Sequence, residues 1–301
     1  MTGPSLLFES TRVAYSLWGR WDARRLFERY ARLSRLAGVR RLYVLPSLDC
    51  DTPDDARVVW DVHQRLQDMG VSPVYAVPGQ LLQEREDVYR RIAKTGRVEF
   101  LNHGYRQHTY FDSTRQAYAS CLFYHQLSPQ ALKQDIVQGH HALPQVLGVS
   151  SPLGFRTPHF GTFQRPSQLR FLHTILRELG YQFSASTMPL YGFRYGPMFS
   201  HLGVMEFPLS GMASEPLTVL DTWGCFQAPG RRFAPQDYEA QAVQVLEFLQ
   251  KQGCGVLNYY ADPLHIHDQE IFFRVVKRWC TAAVSTTYGG LLATLSELPH
   301  E

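Results

Sequence analysis

The stretch RLYVLPSLDCDTPDDARVVWDVHQRLQDMG, residues 41–70, decides how the rest of the chain is read. It opens on an apolar run of strand type, RLYVLPSL, and continues as a helix-like segment that Gly70 closes. Four carboxylates crowd the junction: Asp49, Asp51, Asp54 and Asp55. Two of them belong to a helix start, with Thr52 as N-cap, Pro53 at the first helical position, and Asp54 and Asp55 in a first turn where the macrodipole favours negative charge. Asp49 and Asp51 remain. Strand side chains alternate, so this pair shares one face at the carboxyl end of the strand while Cys50 points away. Like charges so placed repel; a bound metal ion, or a division of labour between ligand and general base, would compensate for it.

The same strand-then-helix rhythm recurs. Candidate strands are RLYVLPSL, SPVYAVP, RVEFLN, LGFRTP, YQFSAS, GVMEFPL, LTVLD and GVLNYY. A helix over residues 23–36 precedes them, and amphipathic segments such as LLQEREDVYRRIAKTG, SPQALKQDIVQGHHALPQVLG, SQLRFLHTILRELG and PQDYEAQAVQVLEFLQKQG lie between. About seven or eight such units predict an α/β protein with a closed or nearly closed parallel barrel, an open doubly wound sheet being the alternative. Residues 108–126, HTYFDSTRQAYASCLFYHQ, break the rhythm and read as a long rim loop, near 108–127, over the barrel top. No low-complexity linker divides the chain, so residues 1–301 are expected to form a single domain.

Composition narrows the function classes. The chain is 45% hydrophobic and 19% charged, with a net charge of +3 and dispersed arginines, which is not a nucleic-acid footprint. The arginine-rich stretch RWDARRLFERYARLSRLAGVRR reads as a solvated helix face, with attraction for an anionic ligand as the other reading. Five scattered cysteines without a CxxC suggest a reducing compartment, and no apolar run is long enough to span a bilayer. The expectation is a cytoplasmic protein with no membrane span; its oligomeric state is unreadable.

Further polar residues fall where strands should end. RVEFLNHGYRQHTY places His103 at a strand tip with Tyr105, Gln107 and His108 beyond, and imidazoles at the rim that holds Asp51 suit zinc and related ions. GFRTPHFG adds Arg156, whose fixed charge would hold a neighbouring carboxylate ionised, followed by Pro158 and the rim residue His159. LTVLDTWGCF sets Asp221 at a strand end beside Trp223, a flat wall of the kind sugar rings require. NYYADPLHIHD ends the series with Asp262, His265 and His267.

In order, these segments resemble the polysaccharide deacetylases of carbohydrate esterase family four, the NodB homology domain. The resemblance implies a distorted (β/α) barrel and a hydrolase that removes acetyl or related acyl groups from an N-acylated sugar or glycan precursor with a divalent metal. It implies Asp49 as general base, Asp51, His103 and His108 as metal ligands, and Arg156 as the residue that keeps Asp49 low in pKa. It further implies His265, oriented by Asp221, as the acid for the departing amine, with Trp223, Tyr105, Pro158 and His159 lining the substrate pocket. Zinc is the first expectation, with cobalt, nickel or iron accepted by the same donors. Two positions depart from the family pattern. Its metal histidines are usually four residues apart, which here gives Gln107 rather than His108, and its catalytic histidine usually precedes a proline, where this chain has Asp262.

Those departures leave a second reading, a catalytically degraded sugar-binding or regulatory member of the same fold. A third comes from DCDT, which also resembles the start of the haloacid-dehalogenase phosphatases, with a nucleophilic Asp and magnesium. Such enzymes need a lysine at a strand end. The chain's lysines, Lys94, Lys133, Lys251 and Lys277, all fall in helix-like stretches.

Overall fold

The computed structural model describes residues 3–148, 152–227 and 233–297. In chain order its strands are β1 (Leu42–Asp49), β2 (Val74–Val77), β3 (Glu99–Asn102), β4 (Thr109–Asp112), β5 (Ala117–Ser120), β6 (Gly154–Phe155), β7 (Phe183–Ser184), β8 (Phe199–His201), β9 (Val204–Glu206), β10 (Gly255–Ala261) and β11 (Val284–Ser285). All eight residues of β1 are buried, because it pairs in parallel with β10 on one side and β2 on the other and is covered on both faces. From β10 the sheet runs through β1, β2, β3, β6 and β7 to β9, with β8 antiparallel at the far edge and β11 beside β1.

This curled parallel sheet fits the nearly closed barrel that the strand-helix rhythm predicts and the distorted barrel that the resemblance implies. Its two ends meet after β9. There the backbone N–H of Ser210 donates to Asn258 O at 2.7 Å, and the Asn258 side-chain amide donates to the carbonyls of Phe207 and Pro208 at 3.0 Å each. Side-chain bonds thus satisfy backbone groups that a strand ladder would otherwise pair.

Several elements differ from the sequence expectation. LTVLD forms no strand, only an isolated bridge between Gly211 and Val219. The loop near 108–127 contains an antiparallel hairpin, β4 with β5, whose alternation is masked because neither face is deeply buried. LLQEREDVYRRIAKTG is two helices, Gly79–Glu84 and Glu86–Ala93, broken at Arg85. The helix expected over 23–36 is the second part of Gly3–Leu36, which changes direction at Asp22.

Helix Pro53–Asp68 begins as its sequence dictates. Thr52 and Asp55 form a reciprocal capping box, and its apolar face buries Val59, Val62 and Leu66. His63 is buried on the same helix, with Nδ1 2.8 Å from the Tyr75 hydroxyl, and burial lowers its pKa to about 4. Its folded value lies below the unfolded one, so its contribution to stability is complete above pH 6.5 and is lost as pH falls towards 4. Relative to His63→Asn, the native chain should lose roughly 2 to 3 kcal/mol between neutral pH and pH 4. Urea unfolding of both chains at the two pH values measures this; parallel losses would refute it.

Candidate active site

β1 delivers both rim aspartates. Asp49 is its last residue and is buried; Asp51 follows, with its side chain 17% exposed. Arg156, fully buried just beyond β6, donates from Nη1 to Asp49 Oδ1 at 2.6 Å and to Ser47 Oγ at 2.8 Å. Its Nη2 donates to the Tyr288 hydroxyl at 2.6 Å, and that hydroxyl donates to Asn258 Oδ1 at 2.7 Å. The guanidinium is therefore anchored by β1 and by the last helix, Tyr288–Ser296, through which it is linked to β10. Burial raises the pKa of Asp49, while the charges of Arg156 and then His103 pull it down. The net direction is upward, contrary to the expectation that Arg156 keeps Asp49 low, because complete desolvation of the carboxylate outweighs one close cation.

Asp51, His103 and His108 converge. Nε2 of His103 lies 3.3 Å and Nε2 of His108 2.9 Å from Asp51 Oδ1. One donor atom from each of the three falls within 4.8 Å of the others, the only such group of three or more among the described residues. Donors on a tetrahedral ion with bonds of roughly 2.0–2.1 Å stand about 3.3 Å apart, so the spacing fits. His103 Nδ1 donates to Arg156 O at 2.9 Å, which leaves Nε2 as the lone-pair nitrogen facing Asp51. Asp51 Oδ1 and His108 Nε2 are buried without a hydrogen-bond partner, as donors aimed at a cation would be. Burial alone would raise the Asp51 carboxyl, but His108 and His103 hold it well below the usual carboxylate range.

The five-residue spacing follows from how the loop after β3 is held. Gly104 adopts φ +78°, and the loop after it is pinned on both sides. Gly79 and Gln80 donate backbone bonds to Gly104 O and Tyr105 O, while buried Asp135 accepts from Arg106 N and Nε, each at 3.0 Å. Gln107 turns outward and donates to Glu84 at 2.9 Å, so the next residue, His108, swings in. A Cβ on Gly104 would come within 2.4 Å of Asp135 Oδ2 and 2.5 Å of the Tyr124 hydroxyl. Gly104→Ala should cost roughly 2 to 4 kcal/mol from left-handed strain plus overpacking. It should also weaken zinc uptake more than tenfold. Calorimetric titration with zinc checks the second effect, and unchanged affinity would refute this account of the loop.

On the opposite wall, His265 sits in the short helix Pro263–Ile266 with Nδ1 3.0 Å from Asp262 Oδ2. Its expected partner Asp221 is elsewhere: it accepts from Gly224 N at 3.0 Å and from the Tyr260 hydroxyl at 3.2 Å. Asp262 rather than Asp221 thus stands within ion-pair distance of His265, because Pro263 starts a helical turn that folds His265 back three residues. Burial opposes charge on His265, but Asp262 outweighs it and the pKa is raised.

A cavity of about 270 Å³ joins the two walls. Asp49, Asp51, His265, Trp223 and His159 line it, as do Tyr118, Phe123, Phe160, Tyr260, Asp55 and Asp262. Tyr105 and Pro158, expected at the pocket, do not line it. The Tyr105 hydroxyl donates outward to Gln83 and its ring covers Gly79, while Pro158 is buried behind the rim. His159 holds φ +54° and has Nε2 3.0 Å from His108 O, so it braces the metal-side loop as well as facing the cavity. Of the residues that sequence reasoning missed, Phe160 and Tyr260 sit inside quoted motifs, and their rings meet at 4.8 Å. Asp55 was read as a cap only. It also accepts from the Leu264 backbone at 2.9 Å, tying the β1 rim to the His265 helix, and burial with Asp262 nearby raises it to about 7.

A family model described as polysaccharide deacetylase matches residues 49–184, the segment that carries Asp49, Asp51, His103, His108 and Arg156. Over this region the chain is similar to the polysaccharide deacetylase family. The fold extends further. A Mycobacterium smegmatis structure whose polysaccharide deacetylase assignment is provisional superimposes with a TM-score of 0.64 at 15% identity, covering 88% of this chain and 95% of that one. The Puue allantoinase superimposes with a TM-score of 0.59 at 11% identity, covering 89% of this chain and 95% of its own. No curated protein matches the sequence.

Proposed function

We propose that this protein is a metal-dependent hydrolase that removes an acetyl or related acyl group from an N-acylated sugar or glycan precursor. One observation carries the reading: Asp51 of the Asp51–His103–His108 cluster, Asp49 of the Asp49–Arg156 pair, and the His265–Asp262 pair all line one cavity, with His103, His108 and Arg156 buried behind the first two. A divalent ion held by Asp51, His103 and His108, zinc by preference with cobalt, nickel or iron as alternatives, would polarise the acyl carbonyl and acidify an attacking water. Asp49 takes the water proton, and Arg156 fixes the carboxylate that receives it. His265, oriented by Asp262, hands a proton to the leaving nitrogen, without which an amine is expelled poorly.

The walls suit such a substrate. Trp223, at 41% exposure, together with Tyr118, Phe123, Phe160 and Tyr260, offers faces for a sugar ring. Asp49, Asp51, Asp55 and Asp262 line the cavity and no lysine or arginine does, which favours a bound cation and a neutral or amine-bearing substrate over a phosphate ester. The magnesium phosphatase reading loses support for the same reason. The degraded-site reading drew on two departures, and the outward turn of Gln107 speaks against the first of them. Elemental analysis after zinc supply, with Asp51→Ala as control, tests the proposal together with acetate release from N-acetylated sugars. About one ion per chain, lost in the variant, is expected. Equal metal content in both proteins, or no acyl release from any amide, would overturn it.

A further inference from the structure

The helix Gly3–Leu36 has a face that the body of the protein leaves uncovered. Ahead of its break at Asp22, Tyr15 and Trp18 pack on the core, and a Cβ on Gly19 would lie 3.1 Å from Pro216. The opposite side repeats every four residues as Val13, Leu17 and Trp21, which are 57%, 62% and 91% exposed. An indole almost wholly in water beside two aliphatic chains is an apolar stripe, not a scattered surface residue.

The same helix has seven arginines against three acidic residues and no lysine. Arg12, Arg24 and Arg25 reach Glu9, Glu28 and Asp22 at 3.7, 3.1 and 3.2 Å, but these are open surface pairs that a phosphate displaces at little cost. Arg20 is exposed beside the apolar stripe. Among the described residues no helix is long and apolar enough to cross a membrane, so a lipid-seeking helix here lies along a bilayer surface.

We propose that this face seats on an anionic lipid bilayer. Val13, Leu17 and Trp21 enter the boundary between headgroups and acyl chains, while Arg20, Arg24 and Arg25 meet lipid phosphates. A second copy of the chain is a poorer occupant, since a two-fold contact sets the patch against itself and brings the arginines of both copies together. The helix also abuts the catalytic rim: Phe8, Glu9 and Arg12 share a cavity of about 290 Å³ with Gly161 and Thr162, which directly follow Phe160.

Flotation of the intact protein with phosphatidylcholine vesicles, and with vesicles containing about one third phosphatidylglycerol, tests the proposal. The protein is expected on the anionic vesicles only and to leave them at high salt. Leu17→Ser/Trp21→Ser should weaken partitioning about tenfold or more, and Arg20→Glu/Arg24→Gln should weaken it through charge. Leu17 and Trp21 stand in water, so circular dichroism and the unfolding temperature should match the parent. Failure to float with anionic vesicles would overturn the proposal, as would undiminished binding by the Leu17→Ser/Trp21→Ser protein. A dimer that this variant dissociates, with no vesicle binding by the parent, would assign the face to a second copy instead.

Discussion

Asp49→Asn should lower acyl release by roughly 10²–10⁴-fold, the span that a positioned general base contributes. The amide keeps an oxygen for Arg156 Nη1, at 2.6 Å from the present carboxylate, so the guanidinium stays anchored. What disappears is the capacity to accept a proton at that atom. Metal content should not change, because the donors that converge are those of Asp51, His103 and His108, and Asp49 is not among them. Turnover and elemental analysis on the same preparations separate the two effects. More than a tenth of the parent activity would remove Asp49 from the base position. Loss of metal would mean that the carboxylate belongs to the ion's surroundings rather than to the proton transfer.

Arg156→Met should destabilise the fold by about 3 to 5 kcal/mol, the usual consequence of removing one member of a buried ion pair. The loss falls on more than the Asp49 charge. Ser47 Oγ and the Tyr288 hydroxyl each lose a donor at 2.8 and 2.6 Å, and Tyr288 links onward to Asn258, whose amide closes the barrel against Phe207 and Pro208. Adding Asp49→Asn should recover about 1 to 2 kcal/mol, since the stranded carboxylate is then neutral. Urea unfolding of the two single variants and the double variant gives the coupling directly. Additive effects would show that the pair contributes no net coupling and that Arg156 acts through its hydroxyl partners.

Much of this was legible along the chain. Thr52, Pro53 and Asp55 start a helix through local bonds that depend only on residues three apart, and the structure has that capping box. The apolar run of β1 announced a strand, and its carboxyl end marked where polar residues would gather. Asp49, Asp51, His103 and Arg156 could be named because each directly ends or follows a short strand, so that chain position alone sets its direction.

Other features depended on what lies across the fold. Whether His108 or Gln107 faces Asp51 depends on Asp135 and Glu84, 29 residues downstream of Arg106 and 23 upstream of Gln107. Asp262 rather than Asp221 stands against His265 because a helical turn after Pro263 reverses the chain, and Asp221 is taken by Tyr260 and Gly224. Tyr105 looked like a pocket residue by its place in a motif, but Gly79 leaves room for its ring on the outer side. The sequence by itself thus determined the strand order of the rim and the kinds of donor on it, through alternation, capping and burial, which act over a few residues. Only the tertiary structure decided which donors meet, because Coulombic and hydrogen-bond partners are chosen by distance in space, and those distances follow from how the barrel closes.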